Sequence, residues 1–331
     1  MVVRILIVFA LVLIAIGAGI AHMFDVGQAP YAGSFQPLSP AEKTIEPNLR
    51  ASLEFFTLQI GARSLNRDGT LDKAADEIDN RLRRLGYDPA EQTFTASGRK
   101  VRNLVVDHPG NTTASKVVLL GTHYDTYRGS PGAHANGSAV VALLEVARLM
   151  KGKSLPFKLR FVFLANGEIP YYGTQNSGAV NYAQFAEREG EQISFALLLD
   201  SLGYFADEPN SQRFPWPMSV GYPSEANFLV AFSGLDDRET VRRFSEAWNR
   251  ACQFPLEAGS LPFWFPGALA GDHEAFASQN VPTLLLSDTG TYRHSDSGTS
   301  YDLHTPIDFK RLARVVQGIA DVIPALGSID G

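Results

Sequence analysis

The sequence predicts an α/β protein, a three-layer αβα sandwich in which a mixed, mostly parallel sheet carries helices on both faces. Short apolar runs of strand type alternate with amphipathic helical stretches along most of the chain, and this alternation is typical of a sheet covered by helices. Four of the apolar runs end in a polar residue, at His123, Glu168, Asp200 and Asp288. Because ligands bind beyond the carboxyl ends of the strands in such sheets, these ends predict an active-site cleft.

The N-terminal segment predicts a membrane helix. Arg4 precedes an almost uninterrupted apolar run over residues 5–21, which is about the shortest length that crosses a hydrocarbon core of ~30 Å. This pattern is typical of a signal anchor with its N-terminus inside, or of a signal peptide cleaved after Ala21. Residues 1–22 are therefore predicted as a signal anchor or transmembrane helix. The protein would be single-pass, with its bulk on the periplasmic or extracellular side.

The rest of the chain is predicted to form a linker followed by one catalytic-type domain. Residues 23–45, which contain Pro and Gly, predict an extracytoplasmic linker, although Pro40 already opens a helical stretch, and residues 46–328 predict the domain. Apolar residues at helical spacing predict helices over 49–60 and 71–85, and Gly86 is expected to end the second helix. Alternation over 93–106, broken at Ser97-Gly98, predicts a hairpin.

The rest of the domain follows the strand and helix alternation. Strands are predicted at 117–120, 159–164, 195–199, 228–232 and 283–287, and helices at 140–150, 179–188, 239–252 and 309–326. The aromatic run 261–266 predicts either the wall or lid of a cleft or a hydrophobic loop packed on the sheet.

Composition limits the partners and the chemistry. A chain of 331 residues that is 45% apolar and 19% charged supports an ordinary globular core. Its net charge of −6 argues against a nucleic-acid partner, because no excess of cations is available to replace counterions. Cys252 is the only cysteine, so neither a disulfide framework nor a cysteine-based zinc site is expected.

Five separated motifs supply the polar residues of the expected cleft. They are Gly121-Thr122-His123-Tyr124-Asp125, Pro131-Gly132-Ala133-His134-Ala135-Asn136, Asn166-Gly167-Glu168, Asp200-Ser201-Leu202-Gly203-Tyr204 and Gly271-Asp272-His273-Glu274. In this order and spacing they resemble the zinc aminopeptidase family that includes bacterial leucyl aminopeptidase, aminopeptidase Y and glutaminyl cyclase. The resemblance extends from about residue 49 to the C-terminus.

The resemblance implies a pair of zinc ions held by five ligand positions and served by one carboxylate base. Zinc polarises the scissile carbonyl and lowers the pKa of bound water. Three positions keep a metal-binding side chain, namely His123, Glu168 and Asp200. Asp125 matches the carboxylate that orients the imidazole of His123. Asp272 is expected to support the site from outside the ligand set.

The other three functional positions lack the residues that the family uses. The metal-bridging carboxylate corresponds to Ala135, the last histidine ligand to Gly298, and the general base to Gly167. A register shifted by one residue would instead make Glu168 the base and Ile169 the lost ligand. A small loop gap would bring His294 or His304 to the place of Gly298, and His134 is the best candidate for a replacement ligand beside Ala135.

Two functions remain open from the sequence. One is a membrane-tethered pseudopeptidase without catalytic residues, whose cleft binds a peptide or protein and holds zinc at partial occupancy at most. The other is a working zinc aminopeptidase with a redrawn site, such as one zinc ion on His123, Asp200 and His134. The first is favoured because the lost base and the lost bridge are independent defects.

Overall fold

The computed structural model describes residues 2–24, 26, 29–67, 69–108, 115–266 and 269–329. The helices are α1 Val2–Phe24, α2 Pro40–Glu54, α3 Thr70–Arg84, α4 Ala139–Met150, α5 Gly178–Arg188, α6 Met218–Gly221, α7 Arg238–Ala251, α8 His273–Ala277 and α9 Phe309–Leu326. The strands are β1 Ala90–Ala96, β2 Arg99–Asp107, β3 Lys116–His123, β4 Lys158–Leu164, β5 Gln192–Asp200, β6 Leu229–Ser233, β7 Leu256–Ser260 and β8 Thr283–Ser287.

The strands form one mixed sheet in the order β1-β2-β4-β3-β5-β8-β6-β7. Strands β4, β3, β5 and β8 are parallel neighbours, as are β6 and β7. The β1/β2 hairpin joins β4 in antiparallel fashion, and β6 runs antiparallel to β8. The parallel strands at the centre therefore deliver their carboxyl ends to one edge, as predicted for the cleft.

Helices cover both faces of the sheet, so the predicted three-layer arrangement is confirmed. Along β3, Val118 and Leu120 face a large core with α2, α3, α4, α7 and α9, while Val117 and Leu119 face a second core with α5 and α8. This alternation follows from the two-residue period of a strand. Continuous apolar runs such as that of β5 are needed because both faces are buried.

The folded domain begins before residue 46. Helix α2 starts at Pro40 behind a capping box in which Ser39 and Glu42 satisfy each other's backbone N–H groups. Glu42 also forms a buried ion pair with Arg314 of α9, with Nε and Oε1 2.7 Å apart. The expected boundary between linker and domain at 45/46 therefore lies inside a packed helix. Residues 25, 27 and 28 of the predicted linker lie outside the described residues.

Among the α-helices and strands of the described residues, three escaped the sequence prediction. Strand β7 is five residues long and contains a glycine, while α6 and α8 span four and five residues. Such segments are too short to display a helical or strand period. The predicted hairpin is present, and its turn uses the left-handed conformation at both Ser97 (φ 49°) and Gly98 (φ 76°).

Candidate functional site

A cavity of about 540 Å³ opens where the parallel strands end. Four of the positions discussed above line it, from four separate segments of the chain, namely Ala135, Glu168, Asp200 and Gly298. The remaining lining residues are Tyr127, Ser201, Leu269, Ala270, Ser287, Thr289, Gly290, Thr291, Tyr292, Ser297 and Thr299. The structure thus brings together segments that lie more than 160 residues apart in the sequence.

Asp125 organises one wall of the site. Its Oδ1 lies 3.2 Å from Nδ1 of His123, and its two oxygens accept hydrogen bonds from the backbone N–H groups of Gly167 (2.7 Å) and Glu168 (3.1 Å). Asp125 and His123 are both buried. The carboxylate therefore fixes the imidazole and, at the same time, joins the end of β3 to the turn after β4 that carries Glu168.

Asn136 joins the ends of β3 and β5. Its amide nitrogen donates to Thr122 Oγ1 at 2.8 Å and to the carbonyl of His123 at 3.2 Å. Its amide oxygen accepts the N–H of Ser201 at 2.8 Å. Asp200 is the last residue of β5 and accepts a hydrogen bond from the Ser201 hydroxyl. A single buried amide thereby holds His123 and Asp200 in register across neighbouring strands.

The titratable side chains of this cluster shift each other's pKa values. Burial alone would lower the pKa of His123, but Asp125, together with Asp272 and Asp200, raises it well above its ordinary value. Burial and the neighbouring aspartates raise the pKa of Glu168 to about 7, although His123 opposes this shift. Burial also raises the pKa of Asp272 to about 7, with the same opposition from His123.

Asp272 contributes a carboxylate without a partner. Both of its oxygens are buried and have no hydrogen-bond partner among the described residues. Its charge raises the pKa values of His123 and Glu168. A buried carboxylate that lacks donors is stable only when it is neutral or meets a cation.

The positions expected for the two lost ligands are tied to each other by Asp302. This fully buried carboxylate accepts the N–H groups of His134 (2.6 Å) and Ala135 (3.0 Å) from one loop and that of Gly298 (2.9 Å) from the other. Gly298 has φ 72°, a left-handed conformation that favours glycine. Asp302 was not foreseen, because one acidic residue in a turn carries no local signal of a contact 168 residues away.

Gly167, the expected base position, lies directly against His123. A Cβ atom at residue 167 would lie 2.4 Å from Cγ and 2.5 Å from Cβ of His123. Both the imidazole and the Gly167 N–H are held by Asp125, so neither group is free to move aside. This backbone therefore leaves no space for a glutamate side chain at residue 167. In the alternative register, Ile169 is 61% exposed and does not line the cavity.

The three histidines considered as replacement ligands do not face the cavity. His134 is fully buried, with Nε2 2.8 Å from Asp288 Oδ2 and Nδ1 2.9 Å from Ser297 Oγ, so both of its ring nitrogens are engaged. His294 stacks on Tyr204 with ring centroids 4.3 Å apart. The Nε2 atom of His304 points toward Glu54, at 3.8 Å. Asp288, the polar residue that follows β8, thus binds His134.

The paired zinc site implied by the resemblance does not fit these residues. Two cations about 3.5–4 Å apart need a bridging ligand, but residue 135 offers only a methyl group, residue 298 has no side chain, and both N–H groups bind Asp302. Within the described ranges, no group of three or more His, Cys, Asp or Glu side chains is arranged to hold a metal ion. No catalytic step through zinc follows from this geometry.

Comparison with known proteins identifies relatives of this chain. Residues 103–323 match Peptidase family M28. Uncharacterized protein YfbL of Escherichia coli (strain K12) is 24% identical over 296 residues, which cover 87% of this chain and 90% of that protein. BOS complex subunit NCLN of Homo sapiens is 27% identical over 222 residues, or 62% of this chain, but the match spans only 36% of that longer protein.

Solved structures share the fold. The LapA aminopeptidase of Legionella pneumophila superposes with a TM-score of 0.65 at 16% identity, over 90% of this chain and 76% of that chain. A Zn-dependent exopeptidase from Parabacteroides distasonis superposes with a TM-score of 0.62 at 21% identity, over 84% of this chain and 97% of that chain. At these identities the superpositions establish a common architecture and leave the chemistry of the site to its own residues.

Proposed function

The chain belongs to peptidase family M28, and on this premise we propose that it is a membrane-anchored member that binds the amino-terminal end of a peptide or protein without hydrolysing it. The family and its zinc-dependent structural neighbour suggest zinc as a cofactor. In this chain we expect zinc to be absent or present at partial occupancy. The retained His123, Glu168 and Asp200 would then serve to bind a ligand.

The Asp302 carboxylate is the observation that carries this proposal. It joins the Ala135 and Gly298 loops through three hydrogen bonds to backbone N–H groups, so these loops are held by protein contacts instead of by shared metal ligands. Gly167 lies so close to His123 that a glutamate side chain has no space at residue 167, which supports the loss of the general base. Without an oriented base, hydrolysis loses a factor of roughly 10²–10⁴ in rate.

The lining of the cavity supports a cationic ligand group. Among the described residues that line it are two carboxylates, Glu168 and Asp200, and no Lys or Arg. The ammonium group of a peptide N-terminus would neutralise these carboxylates, and Leu269 with Tyr292 would contact an apolar first side chain. The human relative is named as a subunit of a complex, which is consistent with a role in binding a partner.

Helix α1 supports the membrane anchor. It has 23 residues, long enough to cross a membrane, and its residues 2–19 are all exposed. A cleaved signal peptide has the same composition. We favour the anchor, with the domain on the extracytoplasmic side as the position of Arg4 predicts.

Zinc content and turnover test the absence of hydrolysis. The detergent-solubilised full chain should carry well below one zinc ion per chain by elemental analysis and should not hydrolyse leucine p-nitroanilide. Ala135→Asp, which restores a carboxylate at the expected bridging position, should raise the zinc content, whereas the uncharged Ala135→Asn should not. Near two zinc ions per wild-type chain with measurable turnover would refute the proposal.

Calorimetry with a defined peptide tests ligand binding. Leu-Gly-Gly with a free amino group should bind the full chain, and N-acetyl-Leu-Gly-Gly should bind much more weakly because it lacks the ammonium group. Asp200→Asn should weaken binding of the free peptide, while Asp296→Asn, which changes an exposed carboxylate outside the cavity, should not. Equal affinity for both peptides would refute recognition of the N-terminus.

A single-zinc aminopeptidase is the second candidate. It is favoured by Asp272, whose buried carboxylate lacks a partner beside His123. About one zinc ion per chain, with turnover that is lost in Asp200→Asn, would support this candidate over the first.

A further inference from the structure

We propose that the domain rests on the bilayer through an apolar collar beside the end of α1, so that the lipid interface is the partner of this surface. The collar consists of Trp216, Val220, Leu235, Phe263 and Trp264. The inference rests on the proposed membrane anchor, and it is independent of whether the site hydrolyses peptides. It adds a second contact with the membrane and a fixed orientation of the domain.

The end of α1 is packed on the domain. The ring of Phe24 lies 5.2 Å from that of Tyr222 and 6.2 Å from that of Phe265, both edge-on. A Cβ atom on Gly221 would come within 2.9 Å of the Phe24 ring. The guanidinium group of Arg238 also donates to the carbonyl of His22. The helix therefore leaves the domain at a defined place.

Four of the collar residues lie next to these contacts in the sequence or pack on residues that do, and Trp216 lies two residues before α6, the helix that carries Val220. Trp264 precedes Phe265, with their ring centroids 6.4 Å apart, and Val220 precedes Gly221. Phe263 lies over Gly234, where an added Cβ would meet its ring at 3.3 Å, next to Leu235.

The collar side chains face outward. Trp264 is 81% exposed, Val220 78% and Trp216 71%. Clustered apolar side chains of this size mark an interaction surface, whereas single exposed ones need no explanation.

The position and composition of the collar favour lipid as the occupant. It lies beside the end of a helix whose own apolar surface is unburied, and hence it is at the depth where that helix would meet the head groups. Tryptophan and phenylalanine are enriched at this depth because their rings bury apolar area near the polar boundary. A protein partner would have to cover the same surface while it avoids the bilayer that α1 enters.

The collar also orients the cavity. Tyr292 lines the cavity and packs on Phe214, with ring centroids 5.6 Å apart. Phe214 belongs to the aromatic cluster that includes Tyr222 and Phe265, the two residues in contact with Phe24. If the collar enters the interface, the mouth of the cavity is held at a constant orientation to the membrane, which would select ligands whose N-termini lie near its surface.

Tryptophan quenching tests the collar in the full chain. The protein has three tryptophans, and Trp248, which is fully buried in the core, provides an internal reference. The chain is reconstituted in phosphatidylcholine liposomes with bromine at a shallow acyl position. We expect quenching of the wild type, reduced quenching in Trp216→Phe and in Trp264→Phe, and loss of quenching in the double variant. Flotation with the liposomes tests the anchor separately.

Each outcome decides the inference. Flotation without quenching would overturn the collar and leave the anchor standing. Failure to float would refute the anchor and, with it, the collar. Blue-shifted emission that bromolipid does not quench, and that shifts to the red on dilution, would assign the surface to a second copy of the chain and also overturn the lipid assignment.

Discussion

Asp302 allows a graded test of the site, because its two oxygens accept different numbers of hydrogen bonds. Oδ1 accepts one N–H group, that of His134, while Oδ2 accepts two, those of Ala135 and Gly298. Asparagine in place of Asp302 would direct its amide oxygen to the N–H groups of Ala135 and Gly298 and would lose the hydrogen bond from His134. Alanine would lose all three.

The magnitudes follow from the number of bonds lost. A hydrogen bond to a charged group contributes about 1.5–3 kcal/mol. Asp302→Asn should therefore lower the free energy of unfolding by at least about 1.5–3 kcal/mol, because its two remaining bonds are made to a neutral oxygen. Asp302→Ala should lower it by about 4.5–9 kcal/mol, which approaches the whole stability of a domain at about 5–15 kcal/mol. The alanine variant should fold only marginally.

The assay is urea denaturation of the full chain in detergent, followed by circular dichroism. The controls are Asp296→Asn and Asp296→Ala, which change an exposed carboxylate six residues away and should stay within about 0.5 kcal/mol of the wild type. Asn and Ala variants at position 302 with equal stabilities, or an Ala variant that resembles its control, would refute the assignment of Asp302 as the tie between the two loops.

Three further predictions concern stability and are measured by denaturation. Gly167→Ala should cost about 1–3 kcal/mol, because its methyl group overlaps the His123 ring; an unchanged midpoint would mean that the ring lies elsewhere. Arg63→Met should cost about 3–5 kcal/mol, because the buried guanidinium donates to the carbonyls of residues 61, 124, 131 and 132, whereas the exposed Arg67→Met should be nearly neutral. Burial raises the pKa of Glu257 from 4.5 to about 7, so its stabilising contribution is full below pH 4.5 and is lost as pH rises through 7. Glu257→Gln should therefore be neutral at pH 4 and stabilising at pH 8, by up to about 3 kcal/mol before solvent screening, and a gain that did not depend on pH would contradict the pKa shift.

Local patterns were sufficient for most of the architecture. Strand β8 and helix α9 have the predicted bounds, and the hairpin turns at the predicted Ser97-Gly98. The parallel centre of the sheet follows from strand–helix alternation. The antiparallel insertion of β6 beside β8 does not, because the order of strands in a sheet depends on long-range pairing that no window of the sequence contains.

The candidate site, like the fold, could be predicted from the sequence only in part. The motifs and the resemblance supplied Glu168, Asp200, Ala135 and Gly298, which line one cavity. The zinc aminopeptidase resemblance is confirmed as membership of peptidase family M28. The assignment of ligand and base roles to individual positions stays a prediction. The proposal of His134 as a replacement ligand lost its support once Asp288 and Ser297 were seen to occupy its ring nitrogens.

The sequence by itself determined the order of elements, the apolar N-terminal helix and the polar ends of the strands, because each is a local property of residue type and period. Tertiary structure alone decided that Asp302 joins the Ala135 and Gly298 loops, that Gly167 meets the His123 ring, and that Phe24 at the end of α1 packs on Tyr222 and Phe265. These facts depend on distances between segments far apart in the chain. Such distances are set by how the whole core packs, and the residues concerned carry no mark of them in their own neighbourhood.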